Sequence, residues 1–257
     1  ILASVEAHVS QIVKLRLYVL HHLSLQSGLP RGTILFTVAL FSGLPLGVLF
    51  RMIQGGDRGS WFQRKALLSL LSGTMISLVT FGKTTVHAFY LSLPSLCLLK
   101  LTSSKADGSK TKSERRKRIG VGFVTFLWSF GYLVYIHYSA DSGGEWKRGN
   151  IDITGLLMVL CLKTTSCAMN FEDYELKDEE KSSFMKEHEL SEAPKTLEYL
   201  AWCMFPCTLV SGPTLEFKTF RMWLREEGIF DPNSPRNKLT HYARGWPRTW
   251  MVLTMQR

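Results

Sequence analysis

Charge-free runs divide this chain. Residues 33–50 (TILFTVALFSGLPLGVLF) carry no charged side chain and stop at Arg51, close to the roughly 18–20 apolar residues that cover the hydrocarbon core of a bilayer. A first membrane span is predicted there. A polar loop, RMIQGGDRGSWFQRK, follows, with Trp61 and Phe62 placed as interfacial aromatics beside flanking Lys and Arg. Residues 66–101 are then apolar apart from Lys83, His87 and Lys100. As one helix they would run roughly 54 Å at about 1.5 Å per residue, too long for one crossing. Two spans or one broken span are expected, with the turn at Phe81-Gly82-Lys83. Residues 119–138 (IGVGFVTFLWSFGYLVYIHY) lack Lys, Arg, Asp and Glu and are rich in Trp and Tyr, the strongest span signal in the chain. Residues 151–168, with Asp152 at the start and Lys163 inside, and the shorter run 197–210 complete a set of five or six membrane segments. The expected fold is an all-α polytopic transmembrane protein with interfacial helices. One membrane domain would occupy residues 1–257, with a basic loop at 102–118 and an acidic loop at 171–196.

A soluble helical protein is the rival reading, and a mean hydropathy of only +0.04 favours it. Soluble helices, however, show a polar face at helical spacing, and residues 33–50 and 119–136 have no charge on any face. The loops account for the low average. A hydrophobic content of 46% argues against disorder.

The net charge of +10 calls for an anionic partner, either nucleic acid or a lipid surface. Its distribution decides between them. Lys105, Lys110, Lys112, Arg115, Arg116, Lys117 and Arg118 face only Asp107 and Glu114 in one loop directly before a span, which marks a cytoplasmic side or contact with anionic headgroups. Nucleic acid is set aside, because no folded basic surface with base-stacking aromatics accompanies the run. Residues 171–192 are acidic and read as a solvated loop. Overall orientation stays open. The five cysteines sit in apolar contexts and read as free thiols; Cys203 and Cys207 lack His or acidic co-ligands, so no metal site is expected. The sequence starts at Ile1 and stops at Arg257 just after WMVLTM, and it is expected to be a piece of a longer chain.

Ionisable groups at membrane depth are functional candidates by default. Lys163 lies within two turns of the end of its predicted span, near enough to snorkel. His87 follows the expected break at Gly82, where unwound backbone is tolerated only inside protein or beside a water-filled cavity; a hydrogen-bonded packing histidine is the competing reading. Farther on, Pro206 and then Gly212-Pro213 weaken and end the helix. Glu216 and Lys218 would then sit among headgroups, with Phe217 and Phe220 as anchors of an amphipathic interfacial helix over residues 215–227. Arg221 and Arg225 of that helix could meet phosphate groups.

The succession TFGKTTVH (80–87), FLWSFGYLVYIHY (126–138), DITGLLMVLCLKTTSCAMNFEDY (152–174) and LEYLAWCMFPCTLVSGPTLEFKTF (197–220) resembles the membrane-bound O-acyltransferases, in particular their lysophospholipid acyltransferase branch. The order and spacing agree over residues 30–225. Met158, Leu160, Lys163, Asn170, Gly212, Pro213, Glu216, Phe217 and Lys218 are the matching positions, and Gly-Pro-x-x-Glu-Phe is the most specific of them. One departure is Asp173-Tyr174, where relatives have Asp-Gly. The resemblance implies an integral membrane enzyme of the endoplasmic reticulum that moves a fatty acyl group from acyl-CoA to the free hydroxyl of a lysophospholipid. Acyl-CoA is then a co-substrate, and no bound cofactor is expected. A hydroxyl nucleophile needs a general base, and the resemblance implies a His in a later apolar segment with an Asn before it. Neither role is assigned within residues 1–257; His241, in HYARGWPRTW, does not match. His87, Lys163, Asn170, Gly212, Pro213, Glu216 and Lys218 are instead candidates for lining the substrate channel. Two alternatives stay open: an O-acyltransferase with a neutral-lipid or protein hydroxyl as acceptor, and a non-catalytic multi-span protein such as a transporter.

Overall fold

In lipid a backbone must satisfy its own hydrogen bonds, and a helix does so within one segment. The computed structural model describes residues 21–52, 58–104, 120–139, 152–176, 179–209, 215–227 and 230, and every regular element among them is helical. The elements are α1 (His21–Ser27), α2 (Arg31–Phe41), α3 (Gly43–Met52), α4 (Arg58–Phe81), a 3-10 turn (Gly82–Thr85), α5 (Val86–Ser104), α6 (Val121–Ser139), α7 (Thr154–Asp173), α8 (Ser183–His188), α9 (Thr196–Cys203), α10 (Pro206–Leu209) and α11 (Phe217–Arg225). Most of the basic loop, Gly212, Pro213 and His241 lie outside the described residues.

Three helical stretches among the described residues are long and apolar enough to cross a membrane: Phe62–Ser103, Val121–Ser139 and Thr154–Asp173. A fourth results if His21–Ser27 and Arg31–Gly47, bent by 98°, count as one span. The first stretch is folded. Ser69 of α4 donates to the Ala201 carbonyl at 2.8 Å, and Lys100 of α5 donates to Thr196. Both partners lie on α9, whose eight residues extend only about 12 Å, whereas residues 69 and 100 of a straight helix would be about 46 Å apart. The chain therefore turns back at the 3-10 segment, where Gly82 takes φ +66°, a conformation open to glycine at little cost. The break expected at Phe81-Gly82-Lys83 is present, and its two arms are the segments that the hydropathy pattern separates. The run expected as a span over residues 197–210 is not one continuous helix: its described part forms α9 and the four-residue α10, parted at Met204 and Phe205 because Pro206 cannot continue the helix above it and starts a new one instead.

α7 is the central element, with α5, α6 and α9 packed on it. Its buried side chains cover most of its circumference, from Leu156, Leu157 and Leu160 through Lys163 and Cys167 to Asn170 and Phe171, and leave one exposed stripe at Met158, Leu162 and Met169. α6 presents Phe123, Phe126, Leu127, Phe130 and Val134 outward and buries only Val121, Gly122, Thr125, Ser129 and Ile136. This seam of mostly small residues allows the close helix approach by which spans associate in lipid. Ser129 Oγ lies 3.3 Å from Thr165 Oγ1 across it.

Contacts fix the direction of each helix. His87 meets Tyr132 and Leu91 meets Trp128, so α5 and α6 are antiparallel; Ser129 meets Thr165 and Gly122 meets Glu172, so α6 and α7 are antiparallel as well. The Gly82–Thr85 turn, the end of α6 and the start of α7 thus share one end of the bundle. The end of α5, the start of α6 and the end of α7 share the other. At that second end Glu172 accepts the backbone N–H groups of Gly120 and Gly122 at 2.8 and 3.0 Å, a carboxylate at the positive N-terminus of α6.

Candidate polar site on the central span

Lys163, Ser166 and Asn170 recur at i, i+3 and i+7 along α7, which puts them on one helical face. That face looks toward the broken segment α9–α10 and the start of α11. Lys163 is 1% exposed. Its Nζ donates to Thr208 Oγ1 at 2.7 Å, to the Trp202 carbonyl at 3.0 Å and to the Cys203 carbonyl at 3.5 Å. It also lies 5.6 Å from the centre of a Trp202 ring. Two of these acceptors are the last carbonyls of α9, the negative end of a helix dipole left open by the break. The lysine therefore closes the end of a helix interrupted inside the bundle. Snorkelling, which the predicted span ending at residue 168 allowed, does not occur. The helix continues to Asp173, Lys163 stands at its middle, and its amine is used inside.

One turn on, Ser166 Oγ donates to Glu216 Oε2 at 2.7 Å, and Asn170 Nδ2 donates to the same oxygen at 2.6 Å. The Asn170 carbonyl accepts the Leu190 N–H at 2.9 Å. Glu216 is the residue before α11 and has extended backbone, φ −63° and ψ 143°. Its carboxylate thus tells α11 where to begin relative to α7. The Trp202 indole donates to the Leu215 carbonyl at 2.7 Å, so the residue beneath the Lys163 amine also holds the chain next to Glu216. Lys163, Asn170 and Glu216, singled out from the sequence, come together in one site. Ser166 and Thr208 complete it and were missed; Ser166 shares the helical face of Lys163 and Asn170, a spacing signal that was there to be read, whereas Thr208 becomes a partner only through the fold.

His87 does not join them. It sits in the first turn of α5, with Nδ1 2.7 Å from the Tyr132 hydroxyl of α6. Lys218 is half-buried on α11. Tyr174, the departure from the family pattern noted in the sequence, takes φ −59° and ψ −29°, an ordinary right-handed helical conformation.

The expected interfacial helix over residues 215–227 forms as Phe217–Arg225 with a different environment. Phe217, Phe220 and Leu224 are fully buried in protein. Phe217 stands edge-on to Trp202 at 5.5 Å, and Phe220 packs on Phe205 at 5.3 Å. They do not anchor in lipid, because the amphipathic pattern that suits a membrane surface suits a protein core equally well. Arg225 pairs with the buried Glu198 at 2.9 Å, and Lys65 pairs with Glu226 at 3.0 Å.

Residues 139–253 match the family model of MBOAT, the membrane-bound O-acyltransferase family. The chain is 34% identical over 179 residues to lysophospholipid acyltransferase 1 of Arabidopsis thaliana, covering 70% of this chain and 36% of the relative. It is 31% identical over 203 residues to lysophospholipid acyltransferase 2 of the same plant, covering 79% of this chain and 39% of the relative. A lysophospholipid acyltransferase of Saccharomyces cerevisiae is 32% identical over 124 residues, which are 46% of this chain and 20% of the relative. The matched part thus amounts to well under half of each of these relatives. With its all-helical membrane architecture and these matches, the chain belongs to the membrane-bound O-acyltransferase family.

Proposed function

We propose that the protein containing this chain is a lysophospholipid acyltransferase of the endoplasmic reticulum, which transfers a fatty acyl group from acyl-CoA to the free hydroxyl of a lysophospholipid. The observation that carries the reading is the likeness to two proteins of that name over 70% and 79% of this chain. The geometry supports it. Lysolipid and acyl chain arrive from the bilayer and CoA from water, so the reaction needs a polar feature inside the bundle that opens toward one membrane face. The α7 face puts polar groups inside the bundle, from Lys163 at mid-span to Asn170 and Glu216 near the end where the basic loop leaves α5.

In this reading Lys163, Ser166, Asn170 and Glu216 are positioning residues. They hold the α9–α10 break and the start of α11 as the wall of the substrate chamber. Lys218 offers a cation to phosphate on α11, and Gly212 and Pro213, outside the described residues, stay candidates for the same channel. The proton of the acceptor hydroxyl goes to a His outside residues 1–257, because His87 is engaged with Tyr132 on α6 and does not reach the Glu216 centre. Residues 1–257 expressed alone accordingly transfer no acyl group.

The test is a partition of acceptors. Membranes carrying the full-length protein, in a host without its own activity, are given labelled acyl-CoA together with equal amounts of lysophospholipid and diacylglycerol. Label in phospholipid supports the reading. Label in triacylglycerol, or no protein-dependent label in either, rejects it.

A further inference from the structure

The helix registers set the level of each element relative to the bilayer. His87 pairs with Tyr132, and Leu91, one turn further along α5, pairs with Trp128, one turn earlier on α6. Continued along α5, that register puts Lys100 level with residue 119, just before α6. Glu172 of α7 reaches the same level through its bonds to the N–H groups of Gly120 and Gly122. One plane across the bundle therefore carries Lys100, the head of α6 and Glu172. From that plane the roughly 20 residues that cross a hydrocarbon core lead to the end of α6 at Ser139 and, along α7, to Asp152 just before its first turn. The Gly82–Thr85 turn stops about 5 Å short of this second plane at about 1.5 Å per residue, a gap that the side chain of exposed Lys83 can cover.

The two planes divide the connections between helices. At the first, residues 51–65 lead into α4, residues 100–119 join α5 to α6, and residues 173–195 follow α7. The last of these stay at that end, because Leu190 bonds to the Asn170 carbonyl and Thr196 to Lys100. At the second plane are residues 82–85 and 140–151. The first set carries sixteen Lys and Arg, the second only Lys83, Lys147 and Arg148. All five connections are short, the range in which an excess of Lys and Arg holds a connection on the cytoplasmic side. Asp and Glu weigh little in that bias, so the acidic residues after α7 do not offset it. Such a count needs the contacts, since they alone show which helix ends lie together.

We infer that the bundle lies in its membrane with the end bearing Lys100, Glu172 and the Glu216 centre toward the cytoplasm, and with the Gly82–Thr85 turn toward the opposite side. The basic residues 105–118 then stand on the side of the anionic leaflet. So does α11, tied to this end through Asn170–Glu216 and Lys65–Glu226, with Lys218 and Arg221 half-buried along it. The orientation does not depend on the acyl-transfer reading, and its failure would leave that reading standing. Where both hold, the acyl donor comes from the cytoplasm.

The test uses the full-length protein in sealed microsomes, whose outer face is cytoplasmic. Ser113→Cys and Ser142→Cys are treated with a membrane-impermeant maleimide before and after detergent, against the wild-type background of native thiols. Ser113→Cys should label before detergent and Ser142→Cys only after it. Ser113→Cys that stays silent until detergent, or Ser142→Cys that labels without it, overturns the inference. An independent readout inserts an Asn-Gly-Thr acceptor between flexible spacers after Ser142 or, separately, after Ser113. The first insertion should give a gel shift that an endoglycosidase removes, and the second should give none. A glycan at the Ser113 insertion, or none at the Ser142 insertion, overturns the inference as well.

Discussion

Lys163 shows how a charge is housed at the middle of a span. Its three acceptors are neutral oxygens, two of them carbonyls at the end of α9, and removal of the amine leaves those carbonyls buried without this donor. Lys163→Met keeps the length of the side chain and should cost about 1–3 kcal/mol, the penalty of unsatisfied buried polar groups. In purified full-length protein this is read as a fall of several degrees in apparent melting temperature, and an unchanged midpoint would show that the amine does not hold the break. Glu216 is a second such centre. Glu216→Ala takes the shared acceptor from Ser166 and Asn170, while Glu216→Gln keeps an oxygen that can accept from one or both. The alanine variant should be the less stable by about 1 kcal/mol or more. Equal stabilities would mean that the carboxylate oxygen is not what fixes the start of α11.

At the scale of elements, the contact between α4 and α9 depends on the absence of a side chain. A Cβ on Gly73 would overlap the Met204 carbonyl oxygen at the break after α9. Gly73→Ala should therefore destabilise by about 1–3 kcal/mol as the two helices part, although in an exposed helix the same change would stabilise by about 1 kcal/mol. Thermal unfolding of that variant, set against Gly131→Ala where a Cβ meets nothing within 4 Å, separates the close approach from helix propensity. A Gly73→Ala protein as stable as the wild type would remove this contact from the account. Elements were legible from the sequence wherever one physical constraint acted alone. The charge-free run that became α6, the apolar run that became α7 and the break at Gly82 follow from bilayer thickness and backbone sterics. Residues 197–210 and 215–227 were misread because burial in protein and burial in lipid ask for the same apolar pattern. Only the fold shows that Trp202, Phe205, Phe217 and Phe220 cover one another. Lys163, Asn170 and Glu216 could be picked out one at a time, but their convergence rests on α9 being wedged between the two arms of α4–α5, which no local spacing encodes.

At the scale of the whole molecule the bundle has two unlike ends. One carries the tight Gly82–Thr85 turn. The other carries Glu172 at the head of α6, the Lys65–Glu226 and Arg225–Glu198 pairs and the Glu216 centre. Family membership and this polarity lead to the proposed reaction, with water-borne acyl-CoA met at the polar end and the lysolipid entering from the bilayer. The most direct test is the rate at which membranes bearing the full-length wild-type protein move label from acyl-CoA to lysophosphatidylcholine, lysophosphatidylethanolamine and lysophosphatidylserine. The account predicts protein-dependent transfer to at least one of them. Absence of transfer to all three, from protein shown to be folded and in the membrane, would contradict it.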